Sequence, residues 1–329
     1  MVRYNILKMK FSTPVHIGSG KDNYDFSSTD LHSDTLASAL AAIRAQSGQT
    51  EDLERFLNSF VLSSAFPYMG NSFFLPAPVG RLSIKVRGKE EYEYRKYLKK
   101  IHFIETSVFC RLAQGETVEI DEKQLKGSYL VGSTEEQWSH PYKNQVSQRV
   151  EVPRNGQDTT PFFFDWRYFN KDAGLYCITG ATDQLFEELV RLFRQLGETG
   201  VGTDKNVGGG KFEIETGTLE LAEIGDANTT LLLSLYVPTE EELKKLRLTD
   251  SRYTLILRGG YMAGSDIETF RHLWKKSIYM FGCGSIFPVV QSLKGKVVDL
   301  RPDWNDKCLH PVYRTGKPFC LHIKVNDYE

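Results

Sequence analysis

Glycine and lysine are concentrated in residues 197–212, which read G-E-T-G-V-G-T-D-K-N-V-G-G-G-K-F. Because glycine has no Cβ and tolerates positive φ, such a loop lets another backbone approach closely. Successive N–H groups in a glycine-rich loop can form a concavity that binds anions, and the lysines add positive charge. The sequence therefore predicts a loop that holds a phosphate backbone. Its predicted contact residues are Gly200, Gly202, Gly208, Gly209, Gly210, Lys205 and Lys211.

Two nucleotide-binding motifs do not fit this stretch. A P-loop requires a glycine where Lys205 stands and a serine or threonine where Phe212 stands. A dinucleotide fingerprint also requires a glycine at position 205, and it opens a helix after a strand. Here a predicted helix enters the loop and a predicted strand leaves it. These departures disfavour nucleotide-cofactor chemistry, and a plain helix cap would need only one or two of the glycines.

A second polar loop, residues 13–32, contains His16 and His32 and is followed by Asp34. Either histidine is a candidate general base for RNA cleavage. For His16, the neighbouring glycines and serine favour backbone contact with a phosphate instead. Asp34 stands at a predicted helix N-terminus, where an aspartate is more often structural. The sequence shows no paired carboxylates, nucleophile elbow or metal-ligand cluster, so it predicts neither catalysis nor a cofactor or metal.

Residues 85–100 carry seven Lys/Arg against three Glu, with three tyrosines between them. Basic residues interleaved with aromatic ones suit phosphate contact and base stacking. A solvated, charged helix face explains the same pattern equally well.

Composition alone does not identify the binding partners of the chain. The chain has 329 residues, with 40% hydrophobic and 12% aromatic residues, and its net charge is −1. Any RNA site must therefore be a local patch, which suits a subunit with protein neighbours. Five scattered cysteines without a C-x-x-C pair indicate reduced thiols, and no apolar run is long enough for a membrane span. We expect a cytoplasmic protein.

The elements that position these residues follow a βαββαβ order. Alternation predicts a strand over 3–11, and Ser33 is the predicted N-cap of the next helix. Strands at 61–66 and 72–75 form a predicted hairpin around 67–71. A strand over 175–179, a helix over 183–196 capped by Gly197, and a strand over 211–221 complete the unit.

A degenerate second unit is predicted from about residue 226, after the turn-rich residues 225–228. Thr239 and Glu242 form a predicted capping box, and residues 229–237, 252–258, 277–281 and 318–325 are predicted strands. The predicted class is α+β, with tandem ferredoxin-like (RRM-like, βαββαβ) domains at 1–225 and 226–329. The first domain contains a large insertion at about 79–174.

Four segments, in order, resemble the RAMP superfamily of CRISPR RNA-binding proteins. They are the helix–glycine loop–strand unit, T-P-V-H-I-G-S-G at 13–20, S-D-T-L-A-S-A-L at 33–40, and Q-V-S-Q-R at 145–149 followed by T-P-F at 160–162. The third segment narrows the resemblance to the Cas5-like fourth subunit of the type III-A (Csm) effector complex. The fourth resembles the base of that family's thumb hairpin, although glutamine stands at 145 and 148.

The resemblance implies a non-catalytic subunit that binds the repeat-derived 5′ tag of the guide RNA for antiviral defence. It also implies docking of the large polymerase-like subunit and the backbone subunit, with target RNA contacted indirectly. The implied RNA-binding residues in the first loop are His16, Gly18, Ser19, Gly20 and Lys21. In the thumb, at about 138–160, they are Lys143, Gln145, Arg149 and Arg154. The aromatic residues Phe162, Phe163, Phe164 and Trp166 are expected to anchor the thumb base in a core.

Two alternatives remain open at this point. Some RAMP relatives that process CRISPR RNA use a histidine near the first loop, so an endoribonuclease using His16 or His32 is the first. The second is an interaction scaffold whose glycine loop contacts only protein. A loop aspartate cleaves target RNA in the related backbone subunit, but Asp34 lies at a helix start, so that role is not carried over.

Overall fold

The computed structural model describes residues 1–18, 24–28, 30–134, 138–151, 158–262, 265 and 267–326. Helices in the described residues are α1 Ser33–Gln46, α2 Leu53–Ser59, α3 Glu91–Leu98, α4 Thr106–Ala113, α5 Asp183–Thr199, α6 Glu240–Lys245 and α7 Glu268–Arg271. Strands up to the thumb are β1 Val2–Phe11, β2 Val61–Leu62, β3 Phe66–Met69, β4 Ser72–Pro76, β5 Ile84–Val86, β6 Phe103–Glu105, β7 Val118–Ile120, β8 Leu125–Lys126 and β9 Tyr129–Leu130. The later strands are β10 Tyr142–Glu151, β11 Thr160–Phe169, β12 Ala173–Gly180, β13 Phe212–Leu221, β14 Thr229–Leu232, β15 Leu255–Arg258, β16 Ile278–Phe281, β17 Ile286–Pro288, β18 Val297–Asp299, β19 Tyr313–Thr315 and β20 Cys320–Ile323.

The largest sheet is built on β1. This strand pairs antiparallel with β13 along its whole length and with β12 on its other side. β12 pairs with β3, which forms a hairpin with β4, and β6, β9 and β8 extend the sheet beyond β4. β1 and β12 are thus the inner pair of the four strands β13, β1, β12 and β3, the arrangement that a split βαβ unit produces. The predicted α+β class is confirmed.

Period-two alternation explains why both faces of this sheet are buried. Leu7 and Met9 point to one face, where they pack with residues of α1, α2 and α5. Ile6 points to the other face, where its cluster includes Leu231 of β14 and Phe319 near β20. The C-terminal region, together with residues of α3 and α4, therefore contributes to the cluster on the side of β1 opposite α1, α2 and α5.

The C-terminal region has a small sheet in the order β17, β14, β20 and a separate β15–β16 hairpin. The capping box is confirmed, since Glu242 donates its N–H to Thr239 Oγ1 (3.2 Å) and Thr239 donates its own to the Glu242 carboxylate (2.9 Å). Between β17 and β20 the described residues form the β18–β19 hairpin, where a complete second βαββαβ unit would have a helix.

Several predicted boundaries were wrong. Residues 61–66 form no single strand, since β2 ends at Leu62 and β3 begins at Phe66, and β14 ends at Leu232 instead of residue 237. The structure has α1 beginning at Ser33, with His32 as its N-cap, and Ser33 Oγ accepts a hydrogen bond from the Leu235 N–H (3.0 Å). Gly197 lies inside α5, which ends at Thr199 with Gly200 as its C-cap. Close packing explains the glycine at 197, where a Cβ would lie 2.1 Å from the Phe212 carbonyl oxygen. Residues 67–69 belong to β3 and not to the turn, which is confined to residues 70–71.

The β10–β11 hairpin occupies the region of the predicted thumb. Gln145 lies opposite Trp166, and Arg149 lies opposite Phe162. Of the aromatic residues expected in a core, Phe164 and Trp166 are buried, but Phe163 is 56% exposed because it points to the opposite face of β11. Within the described ranges, no helix is both long and apolar enough to cross a membrane.

Candidate nucleic-acid interface

The three motifs predicted to bind RNA meet beside the base of the β10–β11 hairpin. In the first loop, Val15 exchanges two backbone hydrogen bonds with Arg167 of β11 (3.0 Å each). The glycine loop is tied to the same place, since the Gly210 N–H donates to the Pro14 carbonyl (2.8 Å). Residues separated by about two hundred positions in the chain thus form one surface.

Close backbone approach explains the glycines at two positions of the loop. Gly210 has φ +71°, and a Cβ there would lie 1.9 Å from the Val201 carbonyl oxygen. Gly202 has φ +94°, and its Cβ would lie 2.3 Å from the His16 carbonyl oxygen. No side chain fits at these distances, so the loop can only close on itself and on the first loop if both residues are glycine.

Many N–H groups of the glycine loop already donate to protein acceptors. Val201 donates to Gly210 (3.0 Å), Thr203 to His16 (3.1 Å) and Gly209 to Asp204 (3.2 Å), in each case to the carbonyl oxygen. These groups are not available for a phosphate as the predicted concavity requires. Phosphate contact by this loop, which remains a prediction, then depends mainly on the exposed side chains of Lys205 and Lys211.

Aromatic rings and a cation connect the thumb base to both loops. The Phe164 ring packs against His16 (centroids 4.4 Å apart) and Trp166 (4.7 Å). The Arg149 guanidinium lies over both Phe164 (4.5 Å) and Trp166 (5.1 Å) and forms an ion pair with Asp204 of the glycine loop. Because Arg149 is only partly buried, it presents positive charge at the point where the three segments join.

A buried polar network below this surface was not predicted. The guanidinium of Arg167 donates to the Ser27 carbonyl (3.1 Å) and to Asn144 Oδ1 (3.3 Å), and it lies over the Tyr142 ring (4.0 Å). The Asp165 carboxylate accepts from Asn144 Nδ2 (2.9 Å) and from the Ser27 N–H (3.0 Å). Burial lowers the pKa of Arg167, although nearby acidic groups and tyrosines oppose this shift.

This network fixes the first loop against the thumb. Charged residues between aromatic ones, in the segment F-D-W-R-Y at 164–168, were the available sequence signal. A charged residue inside an aromatic strand indicates a buried pair or network, because an unpaired charge is costly to bury. The hydrogen bonds of this network therefore hold the interface together, in addition to the backbone contacts between the two loops.

Exposed aromatic rings border the same surface. Tyr24 stacks on Phe164 (centroids 6.0 Å apart) while remaining partly exposed. Phe26 and Tyr168 are also exposed, whereas the exposed Phe163 points to the opposite face of β11. Such rings offer stacking platforms for unpaired bases. The surface thus combines cations and aromatic rings, which is the composition that single-stranded nucleic acid requires.

The two histidines differ from what a general base needs. His16 is buried, its Nδ1 lies 2.8 Å from the Asp165 carbonyl oxygen, and its Nε2 is buried without a partner in the described residues. His32 is separate from it, at the start of α1, and burial lowers its pKa in spite of nearby Asp34. His16 is therefore not presented to solvent as a proton acceptor for RNA, whereas His32 is half-buried.

Asp34 is a structural residue in this arrangement. It is completely buried and pairs with Arg258 (2.9 Å) and with Arg314, both from the C-terminal region. Burial by itself raises the pKa of Asp34, but the two guanidinium groups outweigh it and hold this pKa below its ordinary value. The carboxylate therefore joins α1 to the C-terminal region.

The remaining predicted residues are distributed around the interface. Gly18, Lys143 and Gln145 are exposed, and Gly208 is half-buried. Ser19, Gly20, Lys21 and Arg154 lie outside the described residues. The five cysteines form no disulfide, and in the described ranges no group of three or more His, Cys, Asp or Glu side chains could hold a metal ion.

Comparison with known families identifies the class of protein. The RAMP superfamily model matches residues 8–213, and the CRISPR Csm4 C-terminal domain model matches residues 225–323. The chain therefore belongs to the RAMP superfamily. The second match and the relatives below place it in the Csm4 family of type III-A CRISPR systems.

The relatives support this placement along most of the chain. A CRISPR system Cms protein Csm4 of Mycobacterium tuberculosis is 25% identical over 310 residues, covering 92% of this chain and 93% of the relative. A Csm4 of Thermococcus onnurineus is 25% identical over 236 residues, covering 70% and 73%.

Solved structures show the same fold. A chain of a Csm1–Csm4 cassette crystallised with pppApA has a TM-score of 0.61 at 19% identity, with 99% of this chain and 100% of that chain covered. A chain of a Csm3–Csm4 subcomplex of the type III-A interference complex has a TM-score of 0.60 at 19% identity, with 98% and 100% covered.

Proposed function

We propose that this chain is the subunit of a type III-A CRISPR effector complex that binds the repeat-derived 5′ tag of the guide RNA. The observation that carries the proposal is the convergence of the first loop, the thumb base and the glycine loop on one surface with cations and aromatic rings. Such a surface binds the backbone and faces of unpaired nucleotides.

The charges favour a bound strand at this surface in spite of the net charge of −1. Lys205 and Lys211 are exposed on the glycine loop, Lys143 is exposed on β10, and Arg149 lies at the junction. The thumb extends from this junction, so it is placed to contact the guide beyond the tag. Target RNA is then recognised by base pairing with the guide, while this chain contacts backbone and shape.

The chain acts without catalysis in this proposal. His16 is covered by Phe164, and Asp34 is engaged by two arginines, so neither offers a reactive group to RNA. A guide-holding role in the cytoplasm requires neither a metal nor a cofactor. We also interpret the C-terminal region as a degenerate second ferredoxin-like domain, since β14 is the central strand of its sheet.

Protein neighbours are proposed from an exposed apolar patch. Leu255, Leu257 and Tyr279 are 52%, 56% and 64% exposed, and Leu257 lies opposite Tyr279 in the β15–β16 hairpin. Contiguous exposed apolar side chains of this kind mark interaction surfaces. Structures of relatives contain Csm1 or Csm3 with Csm4.

We assign this patch to the large polymerase-like subunit. It lies in the region matched by the Csm4-specific model, and residues 8–213 are shared with the RAMP superfamily in general. In this proposal the large subunit docks on the region matched by the Csm4-specific model, and the backbone subunit contacts the part shared with RAMP proteins in general.

A protein-only scaffold is the second candidate, and one observation favours it. The N–H groups of the glycine loop are largely used within the protein, as a loop with a purely structural role requires. The side chains of Lys205 and Lys211 decide between the two functions, because they contribute little to the internal contacts of the loop.

The test is a charge reversal in the coexpressed complex. Lys205→Glu with Lys211→Glu should reduce the RNA retained by the complex, because two phosphate contacts become repulsive. Lys244→Glu with Lys245→Glu, an exposed pair on α6, is the matched control and should retain RNA as the wild type does. Equal RNA retention by both variants would favour the scaffold.

A further inference from the structure

A cavity of about 390 Å³ lies beside the N-terminal end of α1. Its wall contains the apolar side chains of Phe66 from β3, Phe103 from β6 and Ile256 from β15. The side chain of Ile101, which lies just before β6, also lines it. This volume is within the range of about 300–1,000 Å³ typical of pockets for small organic groups. The walls therefore offer apolar contact to a flat ring.

One polar ring faces this apolar space. His32 lines the cavity, and its Nδ1 is buried without a hydrogen-bond partner among the residues that the structure describes. A buried imidazole nitrogen without a partner is costly unless a ligand or water satisfies it. The nitrogen thus provides a directional contact for the edge of a ring that carries hydrogen-bonding groups.

The rim of the cavity carries charges of both signs, since Asp30 lines it as well as Lys99. Lys99 lines it and is exposed, as is the neighbouring His102. Lys99 lies near the end of the basic segment 85–100. The pattern of that segment fits either phosphate contact with base stacking or a solvated, charged helix face. Residues 91–98 of this segment form α3, in which Tyr94 is buried while Tyr92 and Tyr97 are exposed, so the helix has one packed face and is followed by Lys99 at the cavity.

The first loop connects this cavity to the candidate interface. The loop contacts the thumb base at Val15, and its far end pairs at Leu31 with Ala65, which lines the cavity. The two described ends of the first loop therefore lie at the candidate interface and beside the cavity.

We propose that this cavity receives one unstacked base of the bound single-stranded RNA, with the base ring against the apolar wall, its edge at His32 and its phosphate near Lys99. The inference rests on the proposed function, because it assigns a second contact to the same RNA. Apolar walls accept any base ring, whereas a single ring nitrogen favours bases with a matching donor or acceptor.

The test combines a filled cavity with RNA that lacks single bases. Thr254→Phe introduces a ring at the cavity edge, and Thr218→Phe, on the exposed surface of β13, is the matched control. The probes are a short single-stranded RNA of repeat sequence and a series in which each nucleotide in turn is abasic. Affinities for the full chain are measured by fluorescence anisotropy.

For the wild type and Thr218→Phe, we expect one abasic position to weaken binding by about fivefold to 150-fold, the effect of one lost base contact. In Thr254→Phe the intact RNA should bind correspondingly less tightly, and the same abasic position should have no further effect. His32→Ala, which removes no capping hydrogen bond, should reduce the preference among bases at that position.

Two results would overturn the inference. If Thr254→Phe binds every probe as the wild type does, the cavity takes no base, although the proposed RNA binding stands. If the wild type binds no RNA, the proposed function fails and this inference with it. Thermal unfolding of each variant establishes that it is folded.

Discussion

Replacing Asp34 with alanine removes the carboxylate that lies between Arg258 and Arg314. Asp34 and Arg314 are buried, while Arg258 is partly exposed and can recover some hydration. Breaking a buried ion pair from one side costs about 3–5 kcal/mol, because the remaining charge is uncompensated. We therefore expect Asp34→Ala to lower the free energy of unfolding by about 3–5 kcal/mol, and Tm by about 4–7 °C for a chain of 329 residues.

The pH dependence follows from the direction of the pKa shift. Since the pKa of Asp34 is lower in the folded chain than its ordinary value, its stabilising effect is present above that ordinary value. It is lost as pH falls through the folded pKa. The difference in stability between wild type and Asp34→Ala should therefore be constant near pH 7 and shrink in acid.

Calorimetry and urea unfolding of the full chain test this prediction. Asp226→Ala is the control, because Asp226 is exposed and pairs with Lys324, and it should leave Tm nearly unchanged. A triple variant, Asp34→Leu with Arg258→Met and Arg314→Met, should regain part of the stability, since neither guanidinium is left unpaired, while the largely buried Lys275 loses the attraction of Asp34. A small loss for Asp34→Ala, similar to that of Asp226→Ala, would refute the assigned role.

Other predictions concern the glycine loop, the apolar patch and catalysis. Gly210→Ala should destabilise the chain more than Gly208→Ala in thermal unfolding, because only at 210 does the new Cβ meet backbone, the Val201 carbonyl oxygen at 1.9 Å, while both positions have positive φ. Similar losses for the two variants would contradict this. Leu257→Lys should reduce the amount of large subunit that copurifies without changing Tm; undiminished copurification would remove the patch from the interface. His16→Ala should leave the length distribution of copurified RNA unchanged on sequencing gels, whereas accumulation of uncut repeat RNA would support a nuclease.

Local patterns in the sequence predicted the elements whose causes are local. Alternation placed β1, with Leu7 and Met9 buried, because neighbouring residues of a strand point to opposite faces. The capping box at Thr239 and Glu242 depends on residues three positions apart. The number of glycines in residues 197–212 correctly indicated that backbone segments approach one another closely in this loop.

Contacts between distant residues could not be predicted in this way. Asp34 is separated from Arg258 and Arg314 by 224 and 280 positions, and no pattern along the chain relates them. The end of α5 was misplaced because a glycine after an apolar face usually terminates a helix. At Gly197, close packing against Phe212 explains the glycine instead, and that contact exists only in the folded sheet.

The most direct test of the proposed function is to identify the RNA that the chain holds in its complex. The tagged chain is coexpressed with its CRISPR array and neighbouring genes, purified, and the copurified RNA is sequenced. The proposal predicts guide RNAs that share one repeat-derived 5′ end, together with the large subunit. Purified protein without RNA, or with freshly cut repeat RNA as a product, would contradict it.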